Sequence, residues 1–90
     1  MKPEEVAAVL SGLIEQLAAA EHERWAHWQR YMHEKGTHQP DGSLLLPADL
    51  VDRWERQSST PYDKLDAGEK ESDREQVRKY LPLIARALSR

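Results

Sequence analysis

Apolar residues recur at three- and four-residue steps along the first part of the chain, which is the spacing of one face of an α-helix. They are Val6, Val9, Leu10, Leu13, Ile14 and Leu17. Pro3, followed by two glutamates, is typical of a helix start. The pattern predicts a helix from Pro3 to about Lys35, bent or broken at Gly12, with Gly36 as a left-handed cap.

The segment 37–46 interrupts the helical pattern with a Pro-Asp-Gly turn. The residues on either side of that turn are predicted to pair as a short two-stranded β-ribbon. Pro47 then opens a second helix, which fades at residues 57–59. The apolar face of this helix carries Leu50, Val51 and Trp54.

Two capping signals precede the last helix. Residues 60–63 (T-P-Y-D) resemble a small capping box with proline at the first helical position, and they predict one turn that ends at Leu65. Residues 66–69 (D-A-G-E) form a second box, which starts the final helix. Alternating charges predict that residues 69–79 are solvated, and Pro82 predicts a kink. The buried stripe is expected at Val77, Tyr80, Leu81, Ile84 and Leu88.

Together these elements predict an all-α fold, one small helical domain over residues 1–90 with long N-terminal, middle and C-terminal helices and a ribbon in the 37–46 loop. Ninety residues are close to the lower limit for a comfortable core. The chain has no cysteine, which excludes disulfides and thiolate ligands. It has no apolar run near the roughly 20 residues that a membrane span needs, so we expect a soluble cytoplasmic protein. A net charge of −3 disfavours nucleic-acid binding.

Residues 18–28 combine the densest aromatic content of the chain with two of its four histidines. The metalloprotease pattern of two histidines four residues apart fails, because position 26 is alanine. The sequence also has no Gly-rich phosphate loop and no Ser-His-Asp order typical of a hydrolase, so we expect no enzyme, no metal and no cofactor. Lys70, Asp73 and Arg74 share one side of the final helix, which favours a surface laced with ion pairs. The alternative is a polar cluster for an anionic ligand, in which Asp73 holds Arg74 or pairs with His22.

Two blocks of the sequence carry a family resemblance. The first reads Ala18-x-x-x-His22-Glu23-x-Trp25, and the second reads Pro61-Tyr62-x-x-Leu65-x-x-x-Glu69-Lys70-x-x-Asp73-Arg74. Together they resemble the repeat domain of ryanodine receptors (the RyR domain), especially its single-copy versions in bacterial and phage proteins. The resemblance covers roughly residues 17–88 and leaves 1–16 as a helical extension. The family's Gly-aromatic-x-Tyr-Gly element is missing from this sequence.

The resemblance implies a non-catalytic regulatory module that senses a nucleotide-like or other anionic small molecule. Its ligand-binding residues would be His22, Trp25, Tyr62, Lys70, Asp73 and Arg74, with rings for a base and cations for phosphate. Two alternatives stay open. In one, His22, Trp25 and Tyr62 are the hydrogen-bonded core between two helices. In the other, the chain is a protein–protein interaction or scaffold domain that uses a surface of three tryptophans, Trp25, Trp28 and Trp54.

The N-terminal apolar stripe lies mostly outside the region of resemblance, and little else in so short a chain is available to cover it. In the receptors, modules of this family occur in tandem pairs. We therefore expect an isologous homodimer through residues 6–17, with Leu10, Leu13 and Leu17 central. The alternative is that this stripe packs on the final helix.

Overall fold

The computed structural model describes residues 1–89, most of which are helical. In chain order the elements are α1 (Pro3–Ser11), α2 (Ile14–Lys35), β1 (Thr37–His38), β2 (Leu44–Leu45), α3 (Ala48–Ser58), a 3-10 turn (Tyr62–Lys64) and α4 (Ala67–Leu88). The predicted all-α fold with a short β-ribbon is confirmed. None of the helices within residues 1–89 has the length and apolar character that a bilayer crossing requires.

The helix predicted for the first third of the chain breaks into two at Gly12. α1 ends at Ser11, Gly12 has φ −69°, and α2 begins at Ile14. Leu13, at the break, is only 3% exposed and lies beside Ala87 of α4. α1 therefore packs on the C-terminal end of α4.

This packing changes the expected dimer contact through residues 6–17. Leu13, one of its three central leucines, is covered within the chain, and Leu17 is half-buried. Leu10 remains accessible, with 40% of its surface exposed. The stripe is thus partly packed on the final helix, because the break at Gly12 turns α1 towards α4.

β1 pairs with β2 in antiparallel register, with Thr37 opposite Leu45. In the turn between them Gly42 has φ +90°, a conformation that glycine adopts without strain. The left-handed cap predicted at Gly36 is wrong, because Gly36 is extended, with φ −92°. Glycine provides space there instead, since a Cβ would lie 2.6 Å from Cγ of Leu44.

The first of the two predicted capping boxes is wrong, whereas the second is confirmed. The Thr60 hydroxyl donates back to the carbonyl oxygen of Arg56 at 2.5 Å, so it caps no following helix. The Asp66 carboxylate accepts the Glu69 amide at 2.8 Å, and the Glu69 carboxylate accepts the Asp66 amide at 3.3 Å. This reciprocal pair starts α4 at the predicted position.

The buried stripe predicted for α4 is wrong at two positions. Val77 and Leu81 are 52% and 54% exposed, whereas the other members of the stripe are half-buried. α4 meets α1 and α2 through the side that carries Tyr80 and Ala87, and Val77 and Leu81 lie further round the helix. α4 continues through Pro82, where a kink stays a prediction.

The molecule is long and flat, with extents of 55 × 33 × 17 Å and a radius of gyration of 17.9 Å. A compact chain of this length has a radius of gyration of about 12 Å. The accessible surface is 7091 Å², whereas a globular monomer of the same mass exposes about 5,400 Å². The chain therefore leaves about 1,700 Å² more in solvent than a compact monomer of its mass.

Candidate functional site

α2 and α4 pack side by side as an antiparallel pair. We call this pair the hairpin, although α3 lies between the two helices in the chain, and the surfaces described below all include residues from it. The Tyr80 hydroxyl donates to the Glu21 carboxylate at 2.5 Å. Further along α2, Trp28 lies at one depression with Asp73, which comes earlier in α4. Because positions advance along α2 as they recede along α4, the two helices run in opposite directions.

A groove of about 490 Å³, here called the tryptophan groove, separates α3 from this hairpin. Its aromatic lining consists of Trp28 and Tyr31 from α2 and Trp54 from α3. The rings of Trp28 and Tyr31 stand nearly perpendicular, with their centroids 5.7 Å apart and 81° between their planes. The polar lining comes from Gln29, Gln57, Ser58, Glu69, Ser72 and Asp73. This volume and composition are typical of a binding site for a small molecule or an anchoring side chain.

Glu69 is a buried charge beside the groove, only 7% exposed. The prediction that residues 69–79 are solvated is wrong at this position. One Glu69 oxygen accepts the Asp66 amide, and the other accepts a hydrogen bond from the Arg56 guanidinium at 3.1 Å. A carboxylate removed from water needs such partners. Because Arg56 belongs to α3, the ion pair ties α3 to the first turn of α4.

Two charged residues line the tryptophan groove, Glu69 and Asp73, and both are acidic. Arg56 neutralises Glu69, whereas no ion pair within residues 1–89 engages Asp73. The lining contains no lysine or arginine. The groove therefore fits a neutral or cationic group and not a phosphate.

The six predicted ligand-binding residues fall into two groups. His22 stacks on Trp25 within α2, with ring centroids 5.9 Å apart and 22° between the planes. The other four are Tyr62, in the 3-10 turn, and Lys70, Asp73 and Arg74, in α4. The hypothesis that His22, Trp25 and Tyr62 form a core is wrong, because all three are exposed, Trp25 at 57% and Tyr62 at 49%.

Three members of the second group line a depression of about 450 Å³, here called the Tyr62 depression. Its lining residues are Tyr62, Asp73, Arg74, Val77, Arg78 and Leu81. The Lys70 ammonium lies 5.8 Å from the centroid of the Tyr62 ring. Glu71 pairs with Arg74 at 3.3 Å and with Arg78 at 2.5 Å. The hydrogen bond from Arg78, and to a smaller extent the one from Arg74, lowers the pKa of Glu71. These ion pairs agree with the interpretation of this helix side as a surface laced with ion pairs. The alternative, in which Asp73 holds Arg74 or pairs with His22, is not seen among residues 1–89.

Five large apolar side chains are exposed along the hairpin. We call them the hairpin face: Ile14, Trp25, Trp28, Val77 and Leu81, whose exposed fractions run from 40% to 62%. Trp28 and Val77 line one depression between the two helices, and Val77 shares the next with Leu81. In α2, Trp25 follows Ile14 by eleven residues and Trp28 follows Trp25 by three. At this spacing the three side chains lie on one side of the helix.

A hydrogen-bonded cluster joins the two helices beside this face. Glu21 accepts hydrogen bonds from both Arg24, at 3.1 Å, and the Tyr80 hydroxyl. The hydrogen bond from Arg24, and to a smaller extent the one from Tyr80, lowers the pKa of Glu21. The hydrogen bond to the Glu21 carboxylate raises the pKa of Tyr80. The sequence does not indicate this contact, because Glu21 and Tyr80 lie 59 residues apart in the chain and Tyr80 is predicted to belong to the buried stripe.

The chain matches no protein-family model, no curated protein and no solved structure. The RyR-domain resemblance therefore stays a prediction.

The sequence contained one usable signal for the tryptophan groove. Tyr31 follows Trp28 by three residues, so both rings must lie on one side of a helix. The sequence also predicts a common surface of Trp25, Trp28 and Trp54, of which Trp28 and Trp54 line the groove and Trp25 does not. It does not reveal that α3 stands off from the hairpin, because that spacing depends on the contact between Arg56 and Glu69.

We expect Glu21→Gln to lower the pKa of Tyr80 towards its ordinary value, since the substitution removes the carboxylate that accepts the Tyr80 hydrogen bond and whose charge opposes phenolate formation. An NMR titration of the tyrosine ring carbons measures this. Because the folded-state pKa of Tyr80 is raised, its contribution to stability is present below about pH 10 and is lost above that. Because the pKa of Glu21 is lowered, its contribution is present above about pH 4.5 and is lost as the pH falls. An unchanged Tyr80 titration in the variant would contradict the contact.

Proposed function

We propose that the chain is a non-catalytic interaction module that pairs with a second copy of itself through the hairpin face. The observation that carries the proposal is the exposure of five large apolar side chains on two long helices that pack together; three of these side chains, Trp28, Val77 and Leu81, line adjoining depressions. Contiguous exposed apolar surface marks protein–protein contacts. Tryptophan, present here as Trp25 and Trp28, is among the residues that most often supply the binding energy of an interface.

The surface area argues for a second copy as the partner. Each chain exposes about 1,700 Å² more than a compact monomer of its mass. If two copies each covered that much, the interface would bury about 3,400 Å², which lies in the range of obligate homodimers. Two antiparallel hairpins packed face to face form a four-helix bundle, in which the exposed faces become a shared core.

The charges beside the hairpin face are compatible with self-association. A two-fold contact brings the same patch of each copy together, so a block of one sign would repel itself. Here Glu21 pairs with Arg24, and Glu71 pairs with Arg74 and Arg78. Acids and bases are therefore mixed along this surface.

We expect light scattering at micromolar concentration to give twice the 10.4 kDa chain mass. Val77→Asp and Leu81→Asp should each weaken the dimer at least about 30-fold, the loss typical of a central interface residue. Leu45→Asp is the matched control, because Leu45 is 64% exposed but lies on the β-ribbon; this variant should remain dimeric.

Circular dichroism should find the helical content of all three variants unchanged, because each site is exposed in the single chain. A monomeric wild type would contradict the proposal. Dissociation by Leu10→Asp but not by Leu81→Asp would contradict it too, because the contact would then lie on α1.

A second candidate function is the sensing of a nucleotide-like anion at the Tyr62 depression. It is favoured by the RyR-domain resemblance and by the Lys70 ammonium beside an exposed Tyr62 ring. Such a ring can stack on a base while lysine and arginine contact phosphate. Glu71 already holds Arg74 and Arg78, so a phosphate must displace an existing ion pair.

Calorimetry against cyclic and linear nucleotides tests this second function. We expect a dissociation constant below about 1 mM for at least one nucleotide, and loss of binding in Lys70→Ala and Arg74→Ala. His22→Ala should bind normally, because His22 does not line the depression. Absence of binding by the folded wild type would exclude this function. It would leave the dimer untested, although Val77 and Leu81 belong to both surfaces.

A further inference from the structure

We infer that the tryptophan groove binds a small organic cation with a methylated ammonium head group. This site adjoins the proposed dimer contact, because Trp28 belongs to both surfaces. The other aromatic residues of the groove, Tyr31 and Trp54, lie outside the hairpin face.

The arrangement of rings is the first support. Trp28 and Tyr31 meet at 81° and form a corner, and Trp54 lines the same groove from α3. Aromatic faces attract cations through their quadrupole, and quaternary ammonium groups are recognised by several rings at once. Tyr31 already attracts a cation, since the Lys35 ammonium lies 5.3 Å from its ring centroid. The two tryptophans are therefore the main walls for a ligand.

The charge of the groove is the second and independent support. The lining supplies two carboxylates and no lysine or arginine. Arg56 satisfies Glu69, which leaves Asp73 without an ion-pair partner among residues 1–89. The carboxylate of Asp73 is thus the counter-charge that a bound cation requires. An anion placed among these groups would be repelled.

The same cluster of rings borders a second opening, and its charge selects the direction of entry. That opening has a volume of about 300 Å³, and its charged lining is Arg53, Asp66 and Glu69. The Arg53 guanidinium opposes a bound cation there, whereas the lining of the groove contains no lysine or arginine. A cation is favoured at the Asp73 side, where the groove has about 490 Å³, ample room for a trimethylammonium group and the rest of a small ligand.

Choline and its neutral isostere 3,3-dimethylbutan-1-ol separate charge recognition from apolar contact, because the two have the same shape. Titrated calorimetrically into the wild-type chain, choline should bind at least about 10-fold more tightly than the isostere. Asp73→Asn should weaken choline at least about 5-fold and leave the isostere unchanged, since only the charge is removed. Trp54→Leu should weaken both ligands.

Leu45→Ala is the control, because Leu45 is an exposed apolar residue of the β-ribbon that belongs neither to the groove nor to the hairpin face; it should bind choline normally. Equal affinities for choline and the isostere would overturn the inference, as would equal losses in Leu45→Ala and Trp54→Leu. Absence of choline binding by the folded wild type up to about 10 mM would overturn it as well. If Trp54→Leu does not fold, Asp73→Asn still decides the question, because Asp73 is exposed.

Discussion

The Glu69 carboxylate accepts the Asp66 amide with one oxygen and the Arg56 guanidinium with the other, and the middle of the molecule depends on this pair. The first contact fixes where α4 begins. The second brings α3 beside the hairpin, which it otherwise touches sparsely across an open groove. A buried carboxylate needs partners for its oxygens, and only the Arg56 contact reaches α3. Removing the Arg56 guanidinium would therefore loosen α3 and, with it, Trp54, the third aromatic residue of the groove.

The exposed hairpin face follows from the shape of two long helices that pack along a single line. Leu13 and Ala87 close one end of that contact, and Glu21 and Tyr80 join its middle. Each helix carries more apolar surface than this line covers, so side chains such as Val77 remain open. The small core, the large accessible area and the exposed apolar face therefore have one geometrical cause. A second layer of helices would address all three, because it supplies the surface that the single chain lacks.

Features that depend on neighbouring residues were predictable from the sequence, and features that depend on tertiary contact were not. The helices, the β-ribbon, the break at Gly12 and the second capping box all rest on local spacing. Gly36 was misassigned because its constraint is the side chain of Leu44, which approaches only when the ribbon forms. Periodicity placed Val77 in the buried stripe of the last helix, but it could not show that no other helix covers this position. In the candidate site, Arg74 pairs with Glu71, three residues before it in the same helix, so this partner could have been predicted from local spacing.

Whether a second copy covers the hairpin face is tested most directly by a spin-label distance across the contact. The chain has no cysteine, so Gln76→Cys provides a single attachment site, near the middle of α4 and beside Val77. A face-to-face pair predicts a defined distance between the two labels of at most about 33 Å, the length of that helix. A dipolar signal indistinguishable from that of isolated labels would contradict the pairing.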